Sequence, residues 1–399
     1  MGPDELSKLK DRALAAAAEG ITIADARQPD NPLIYVNSGF ERLTGYSVSE
    51  VLGSNCRFLQ GPGTDQVTLE RLRAAIREKR ECTVQLLNYR KGGGTFWNRL
   101  SITPVRDASG EVTHFIGVQS DVTEQKLTQE KLEAASRIVR EDLGAAARVQ
   151  RSLLPGQLPA TEGANVAWEF RPSTELAGDI LNVSPLDDRH LALYVLDVSG
   201  HGVASALLAV TVSRLLAPIP GQSFLYTPDA DGGYGLAQPA EVMRRLNRHF
   251  PFDPRTAQYF TIFFGILETQ SGELRYSSAG HPDPIYVPCG DRGRTIPTGG
   301  MPVGLFSRAE YEDYLLRMNS GDRLYIYTDG ILEAENASGQ EFGFDRLIQS
   351  LEESRGAALD GSLAAAIARV DEWSGSSGLA DDVSMLAIER RLVADRPVP

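Results

Sequence analysis

Apolar positions in the first third of the chain come in short runs broken by turn residues. Residues 21–24 and 33–36 read as two strands around the turn Pro29-Asp30-Asn31-Pro32. Residues 38–44 and 47–52 follow as short helices, the second opened by Ser47 with Glu50 three positions on, the spacing of a capping box. Leu69, Leu72 and Ile76 recur at helical intervals and predict a longer helix over 65–79. Strand-like runs fall at 82–89, 96–105 and 113–120, separated by turns at 90–94 and 107–110. A small mixed domain with an antiparallel sheet is the natural reading.

From residue 122 the chain turns to Glu, Lys, Gln, Ala and Arg, with no proline until Pro155 and Gly144 as its one weak point. That predicts a continuous helix. Its seam of Leu132, Ala135, Val139, Leu143, Ala146, Gln150 and Leu153 alternates by three and four with one extra four, a coiled-coil seam containing a stutter. A long helix with so narrow a stripe needs a partner, so a homodimer is expected, against a single helix lying on one of its own domains. The small Ala135 and Ala146 make the seam weak. Beyond Pro155 the pattern is strand-rich again and ends in helices near 344–353 and 362–373, while 218–239, rich in Gly, Pro, Tyr and Asp, reads as a long loop or flap. The expected organisation is an N-terminal helical cap over 1–19, a small domain over 20–122, a helical linker over 123–154, a larger domain over 155–392 and a tail over 393–399.

Composition changes this picture mainly by exclusion. A chain of 399 residues exceeds one ordinary core. Its 42% hydrophobic and 23% charged content is that of a soluble globular protein. A net charge of −13 argues against a nucleic-acid partner and disfavours an anionic membrane surface. Cys56, Cys82 and Cys289 form no CxxC pair and no disulfide or zinc framework, which fits a reducing compartment. No apolar run approaches the roughly 18 residues of a membrane span. The start Met1-Gly2-Pro3 lacks a signal-peptide core, and Leu6 stands where a myristoylation pattern requires Ser or Thr. A cytoplasmic multidomain protein is expected.

The stretch Gly53-Ser54-Asn55-Cys56-Arg57-Phe58-Leu59-Gln60 packs a thiol, a cation, two carboxamides and an aromatic ring into eight residues. Such donors and acceptors around apolar groups suit a planar heterocycle with a phosphate tail. The segment resembles the G-x-N-C-R-F-L-Q signature of LOV domains, the flavin-binding blue-light sensors of the PAS superfamily. The resemblance implies a five-stranded antiparallel sheet with short helices. It also implies a flavin, by family FMN with FAD and riboflavin left open, and a photoactive thiol at Cys56 that adds to the excited ring. Asn55, Arg57 and Gln60 would contact the cofactor. The family also places a second arginine on the next helix, matched by Arg73, an asparagine on each of two adjacent strands, matched by Asn88 and Asn98, and a glutamine on the last strand, matched by Gln119. Chemistry agrees: arginines neutralise a phosphate, and amides offer a donor and an acceptor to a pyrimidine edge. Gln119 can do the same at the reacting nitrogen and flip when that nitrogen is protonated. Cys82 reads as structural.

The second half carries separated aspartates in unusual settings. Asp179 sits in Gly-Asp-Ile-Leu, Asp197 ends an apolar run and opens Asp-Val-Ser-Gly-His-Gly, Asp329 ends another in Tyr-Thr-Asp-Gly, and Asp381 and Asp382 open a strand. Carboxylates at the ends of buried strands need compensation, and hard divalent cations are the usual answer. With Ser278-Ala279-Gly280-His281-Pro282 and Gln150-Arg151-Ser152-Leu153-Leu154-Pro155, the set resembles the metal-dependent PPM (protein phosphatase 2C-like) family in its SpoIIE-type branch. The resemblance implies an αββα sandwich and two manganese or magnesium ions. Asp197 would bridge them, the Val198 carbonyl would complete one site, Asp329 and Asp381 would hold the first ion, and Asp179 would act at the second. Water between the ions would attack a phosphoserine or phosphothreonine. Asp382 reads as a residue behind the ligands rather than a ligand, His201 as a turn residue ahead of an acid, and His281 as a loop-shaping residue. Relatives often carry a second aspartate where this chain has Asn182, and no arginine immediately precedes the first aspartate.

The combined expectation is an α+β protein: a LOV sensor, a coiled-coil linker and a PPM phosphatase, hence a blue-light-regulated serine/threonine phosphatase. Its expected substrate is a phosphorylated anti-anti-sigma (STAS) protein. Light would join Cys56 to the flavin, reorient Gln119 and let the linker reposition the segment carrying Asp179 and Asp197. Such couplings run to about 1–3 kcal/mol, roughly 5–150-fold in activity. Two other classes stay open: a light-gated binding module with a degenerate metal site, and a constitutive phosphatase whose flavin domain serves dimerisation or redox sensing.

Overall fold

The structure is a computed structural model that describes residues 3–156, 162–375 and 378–392; the expected tail over 393–399 lies outside the described residues. The chain divides into two compact units, Met1–Ile138 and Val139–Pro399.

In the first unit, helix α1 (Pro3–Ala16) precedes strands β1 (Gly20–Asp25) and β2 (Leu33–Val36). The short helices α2 (Ser38–Thr44) and α3 (Val48–Val51), a 3-10 turn (Cys56–Leu59) and helix α4 (Gln66–Arg77) lead to strands β3 (Cys82–Tyr89), β4 (Thr95–Arg106) and β5 (Val112–Asp121). The five strands form one antiparallel sheet in the order β2-β1-β5-β4-β3. Glu50 accepts from the Ser47 N–H at 2.9 Å, the return bond that the capping-box spacing predicts. Period-two alternation turns Val84, Leu86 and Asn88 of β3 to the same face as Phe96 and Asn98 of β4 and Phe115, Gly117 and Gln119 of β5. The core of this unit is split. Leu33, Val36, Phe40, Val51 and Leu59 form one cluster, and Leu69, Leu72, Val84 and Leu86 form another. A cavity of 460 Å³ has walls from both.

Asn37 ties the start of this unit together. Its Oδ1 accepts from the N–H groups of Ile21 and Phe40, and its Nδ2 donates to the carbonyls of Leu14 and Glu19.

Helix α5 (Thr123–Arg151) follows β5 and runs unbroken through Gly144. Its first turn is fixed in the first unit: Thr123 Oγ1 accepts from the Trp97 N–H at 2.9 Å, and the Lys126 ammonium lies 4.7 Å from the Trp97 ring centre. Leu132 and Val139 of the expected seam are 64% and 58% exposed, whereas Gln150 is buried. Among the described residues, no helix is long and apolar enough to cross a membrane.

The second unit begins with β6 (Ala164–Arg171), β7 (Ile180–Pro185), β8 (His190–Val198) and α6 (Val203–Leu215). Residues expected to form a long loop contain instead a two-stranded hairpin, β9 (Tyr226–Pro228) and β10 (Tyr234–Leu236). Arg245 of α7 (Pro239–His249) holds it, donating to the carbonyls of Phe224 and Tyr226 and to Thr227 Oγ1. Strands β11 (Phe260–Glu268), β12 (Glu273–Ala279), β13 (Ile285–Val287), β14 (Arg294–Thr295), β15 (Tyr314–Arg317) and β16 (Arg323–Tyr327) follow. A 3-10 turn (Asp329–Ile331), helices α8 (Gly343–Glu353) and α9 (Leu359–Ser374), and β17 (Val383–Arg390) complete it. One sheet runs β15-β12-β11-β8-β7 and the other β14-β13-β16-β17-β6. Helices α6 and α7 cover the first, and α8 and α9 the second, an αββα sandwich. Strands β8 and β17 read as near-continuous apolar runs because both of their faces are covered.

Gly39 gives a sharp test of the Asn37 region. A Cβ there would stand 2.1 Å from the Glu19 carbonyl oxygen and 2.8 Å from that of Ala17. Alanine normally stabilises a helix relative to glycine, but Gly39→Ala is expected to destabilise the sensor unit by about 1–3 kcal/mol through overpacking. Thermal melting of the sensor transition measures this.

Candidate functional site

The eight residues expected at the flavin site all line the one cavity: Asn55, Cys56, Arg57, Gln60, Arg73, Asn88, Asn98 and Gln119. Asn55 sets the 3-10 turn that presents the thiol. Its Oδ1 accepts from the Arg57 N–H at 3.0 Å, and its Nδ2 donates to the Asp30 carbonyl at 2.5 Å. Leu72, Leu86, Leu100 and Phe115 supply apolar wall.

A row of polar side chains crosses the sheet toward the thiol. Asn98 Nδ2 donates to Asn88 Oδ1 at 2.8 Å and to Gln119 Oε1 at 3.1 Å, and Gln119 Nε2 donates to Cys56 Sγ at 3.6 Å. Asn98 Oδ1 is buried without a partner, and an orphaned acceptor on a cavity wall is costly unless a ligand donor meets it. Cys56 is half-buried by exposure because its sulfur faces the cavity, but protein surrounds it and burial pushes its pKa up to about 11, with the Gln119 bond opposing. The group is therefore a thiol at neutral pH.

At the exposed end of the cavity, Arg57 pairs with Asp30 at 2.5 Å, while Glu70 receives Arg73 at 3.6 Å and Arg77 at 3.0 Å. Arg77 lines the cavity and was not singled out from sequence; its spacing of four from Arg73 on a helix was the available signal. Exposed pairs of this kind are weak and can yield to a phosphate. Apolar walls, an orphaned amide and arginines at one end fit a flavin carrying a phosphate.

The aspartates of the second unit gather at the ends of two strand pairs. Extending the β7–β8 register sets Asp179 opposite Asp197. Extending the β16–β17 register brings Asp329 beside the Asp381-Asp382 pair. Gly330 makes that approach possible, since a Cβ there would stand 2.1 Å from the Asp382 carbonyl oxygen. The Val198 carbonyl points toward Gly178, next to Asp179; a Cβ on that glycine would lie 2.8 Å from its oxygen. Asp179 is buried and accepts from Thr328 Oγ1 at 2.8 Å. Thr328 was not singled out from sequence, and its place within Tyr-Thr-Asp-Gly, directly before Asp329, was the available signal.

Asp382 has a different occupation from its neighbour. Its Oδ1 accepts from the N–H and hydroxyl of Ser173, and its Oδ2 accepts from the Gly178 N–H at 2.7 Å, so it holds the loop before Asp179. His201 is exposed on the turn after Asp197. His281 is buried, with Nδ1 at 2.9 Å from Thr261 Oγ1, and burial lowers its pKa to about 3, so it is neutral.

Electrostatics make the four strand-end carboxylates one system. Burial first, and then the charge of Asp197, holds Asp179 well above the usual carboxylate range. Burial, Asp329 and Asp381 raise Asp197 to about 7. Asp329 is raised by burial and Asp381, and Glu333, missed from sequence, is raised by burial and Asp329. Among the described residues, no three His, Cys, Asp or Glu side chains stand close enough to hold an ion as placed. The donor set nevertheless fits hard divalent ions in its chemistry: all oxygen, mutually repelling, and protonated where a cation would relieve it.

The sign of the pH effect follows. Folding raises the Asp197 pKa from 3.8 to about 7, so its stabilising protonation is complete below about pH 4 and is lost as pH rises through 7. In chelator, the stability of the chain relative to Asp197→Asn is expected to fall across that window. Manganese should flatten the slope, and paired melting curves measure both.

The family model for Stage II sporulation protein E (SpoIIE) matches residues 187–391, and a PAS domain model matches residues 18–124. The first match contains Asp197, Asp329 and Asp381, with Asp179 just outside it. The chain is 53% identical over 103 residues to phototropin-2 of Oryza sativa subsp. japonica, which is 26% of this chain and 11% of that protein. It is 48% identical over 122 residues to the blue-light photoreceptor of Listeria monocytogenes serovar 1/2a, 31% of this chain and 48% of that one. It thus spans less than half the length of either relative. The SiaA-PP2C domain of Pseudomonas aeruginosa shares the fold, with a TM-score of 0.54 at 20% identity, over 64% of this chain and 98% of that one. The chain belongs to the SpoIIE family, with a PAS/LOV domain at its N-terminus fused to a PP2C-like phosphatase domain.

Proposed function

We propose that this chain is a blue-light-regulated, divalent-metal-dependent serine/threonine phosphatase acting on a phosphorylated STAS protein. The observation that carries the reading is one chain holding both a protonated thiol on a polar-lined cavity and four mutually repelling carboxylates at facing sheet ends. The choice of a STAS substrate is supported by the SpoIIE relationship alone.

Asn88, Asn98 and Gln119 would pair with the heteroatom edge of an FMN ring, Asn55 and Gln60 would flank it, and Arg57 and Arg73 would grip its phosphate. A bound flavin supplies the blue-light absorption and the reacting ring atom. The chain supplies a neutral Cys56 that retains its proton in the dark, an apolar enclosure that limits water, and a Gln119 amide able to exchange donor for acceptor. Asp197, Asp179, Asp329, Asp381 and the Val198 carbonyl would hold two manganese or magnesium ions. Such ions supply Lewis acidity and an activated water for phosphoester hydrolysis. Asp382 and Thr328 hold the Asp179 segment in place for that purpose. Exposed Leu132, Ile138 and Val139 on α5 favour pairing with a second copy.

Turnover of a phosphoserine STAS protein, assayed dark and lit with manganese or chelator, tests the reading. Chelator is expected to abolish activity. Loss of groups behind metal ligands costs roughly 10–100-fold, so Asp197→Asn and Asp329→Asn should each cost more than about 100-fold. Cys56→Ala should erase a light response of about 5–150-fold. A full light response in Cys56→Ala would sink the thiol-based scheme, and equal turnover in dark and light by the wild type would leave a constitutive phosphatase.

A further inference from the structure

Gln150 is the one buried residue of α5, near the end of a helix otherwise largely open to solvent. A buried carboxamide needs partners for both its ends, and one residue supplies them. Gln150 Nε2 donates to the Ala177 carbonyl at 2.7 Å, and Gln150 Oε1 accepts from the Ala177 N–H at 3.2 Å. The side chain thus pairs with Ala177 much as a neighbouring strand would. Ala177 is fully buried and lies two residues before Asp179.

The same segment is held again beyond Asp179. Asn182 Nδ2 donates to the Leu153 carbonyl at 2.9 Å, and Leu153 and Leu154 pack into the large core of this unit. Between these two attachments, Gly178 donates to Asp382 and Asp179 accepts from Thr328. The Asp179 segment is therefore suspended between the end of α5 on one side and the strand-end residues of the second sheet on the other. A slide of α5 by one residue is about 1.5 Å, enough to break both bonds to Ala177.

We infer that Gln150 is a positioning residue: its carboxamide sets Asp179 against the other carboxylates and is the contact through which α5 acts on them. This rests on the phosphatase reading above. It locates control at one amide pair rather than along the helix as a whole.

The test uses the full chain carrying Gln150→Met, which keeps length and volume but offers neither donor nor acceptor. Amide exchange at Ala177 and Gly178 should quicken by about tenfold or more, since a local opening no longer breaks two bonds. Manganese affinity by calorimetry should fall by roughly 10-fold or more, as when groups behind metal ligands are removed. Activity should fall in kcat with KM for the phosphoprotein within about twofold, and the lit-to-dark ratio should collapse from its wild-type value, about 5–150-fold, toward one. Flavin absorption should match the wild type. Wild-type exchange at 177–178 together with wild-type manganese affinity and light ratio would overturn the inference and leave Gln150 a simple helix anchor. If Gln150→Met fails to fold by circular dichroism, Gln150→Asn, which keeps the amide but is one methylene too short to make both bonds to Ala177, faces the same readouts. A wild type that turns over no phosphoprotein would refute the phosphatase reading, while exchange and calorimetry would still decide the clamp.

Discussion

Like charges cannot share a half-buried space without a proton or a cation between them, and the phosphatase unit is arranged around that constraint. Register alone sets Asp179 against Asp197, and a glycine that admits close backbone contact sets Asp329 against the Asp381-Asp382 pair. Burial makes Asp179, Asp197 and Asp329 feel their neighbours, and hydroxyl and amide donors from Thr328, Ser173 and Gly178 hold the backbone that presents them. The apolar strands behind them do not respond to the charge. They fix where it has to be.

The sensor unit answers a different constraint, a hole in a core. Dividing the hydrophobic cluster in two leaves room for a ligand and leaves amides facing it. The asparagine and glutamine side chains there are costly in isolation and affordable as a connected row. The row ends on a sulfur, and its central member, Asn98, keeps an unmet oxygen.

Much of this was legible in the sequence, for identifiable reasons. The strands β3 to β5 were visible because their runs are bounded by glycine-containing turns, and the two halves of the fold were visible because each carries a dense local signature. The hairpin of β9 and β10 was not, since strands of three residues rich in Gly, Pro and Tyr leave no period to read. Asp382 reads from sequence as a residue behind the ligands, but its three donors come from residues some two hundred positions away, which no local pattern names. Gln150 was read as a seam position because helical spacing reports only which face a residue occupies, not what faces it. Arg77 and Glu333 sit among many charged residues on exposed surfaces, where composition gives no reason to choose one.

Asp381 and Asp382 are chemically identical neighbours with opposite duties, one open to solvent and one buried behind the loop. What distinguishes them is the loop before Asp179, whose Ser173 and Gly178 donors take Asp382 and not its neighbour. The pairing of Tyr327 with Met385 fixes where the chain stands when it meets that loop, and a slip of β17 by one residue would bring Asp381 or Val383 to the Ser173 and Gly178 donors in place of Asp382 while composition and charge stayed the same. The reliability of the site is in that sense a matter of counting along a strand, and a miscount during folding would leave the Ser173 and Gly178 donors without their carboxylate while turning the covered faces of β17 against the wrong neighbours.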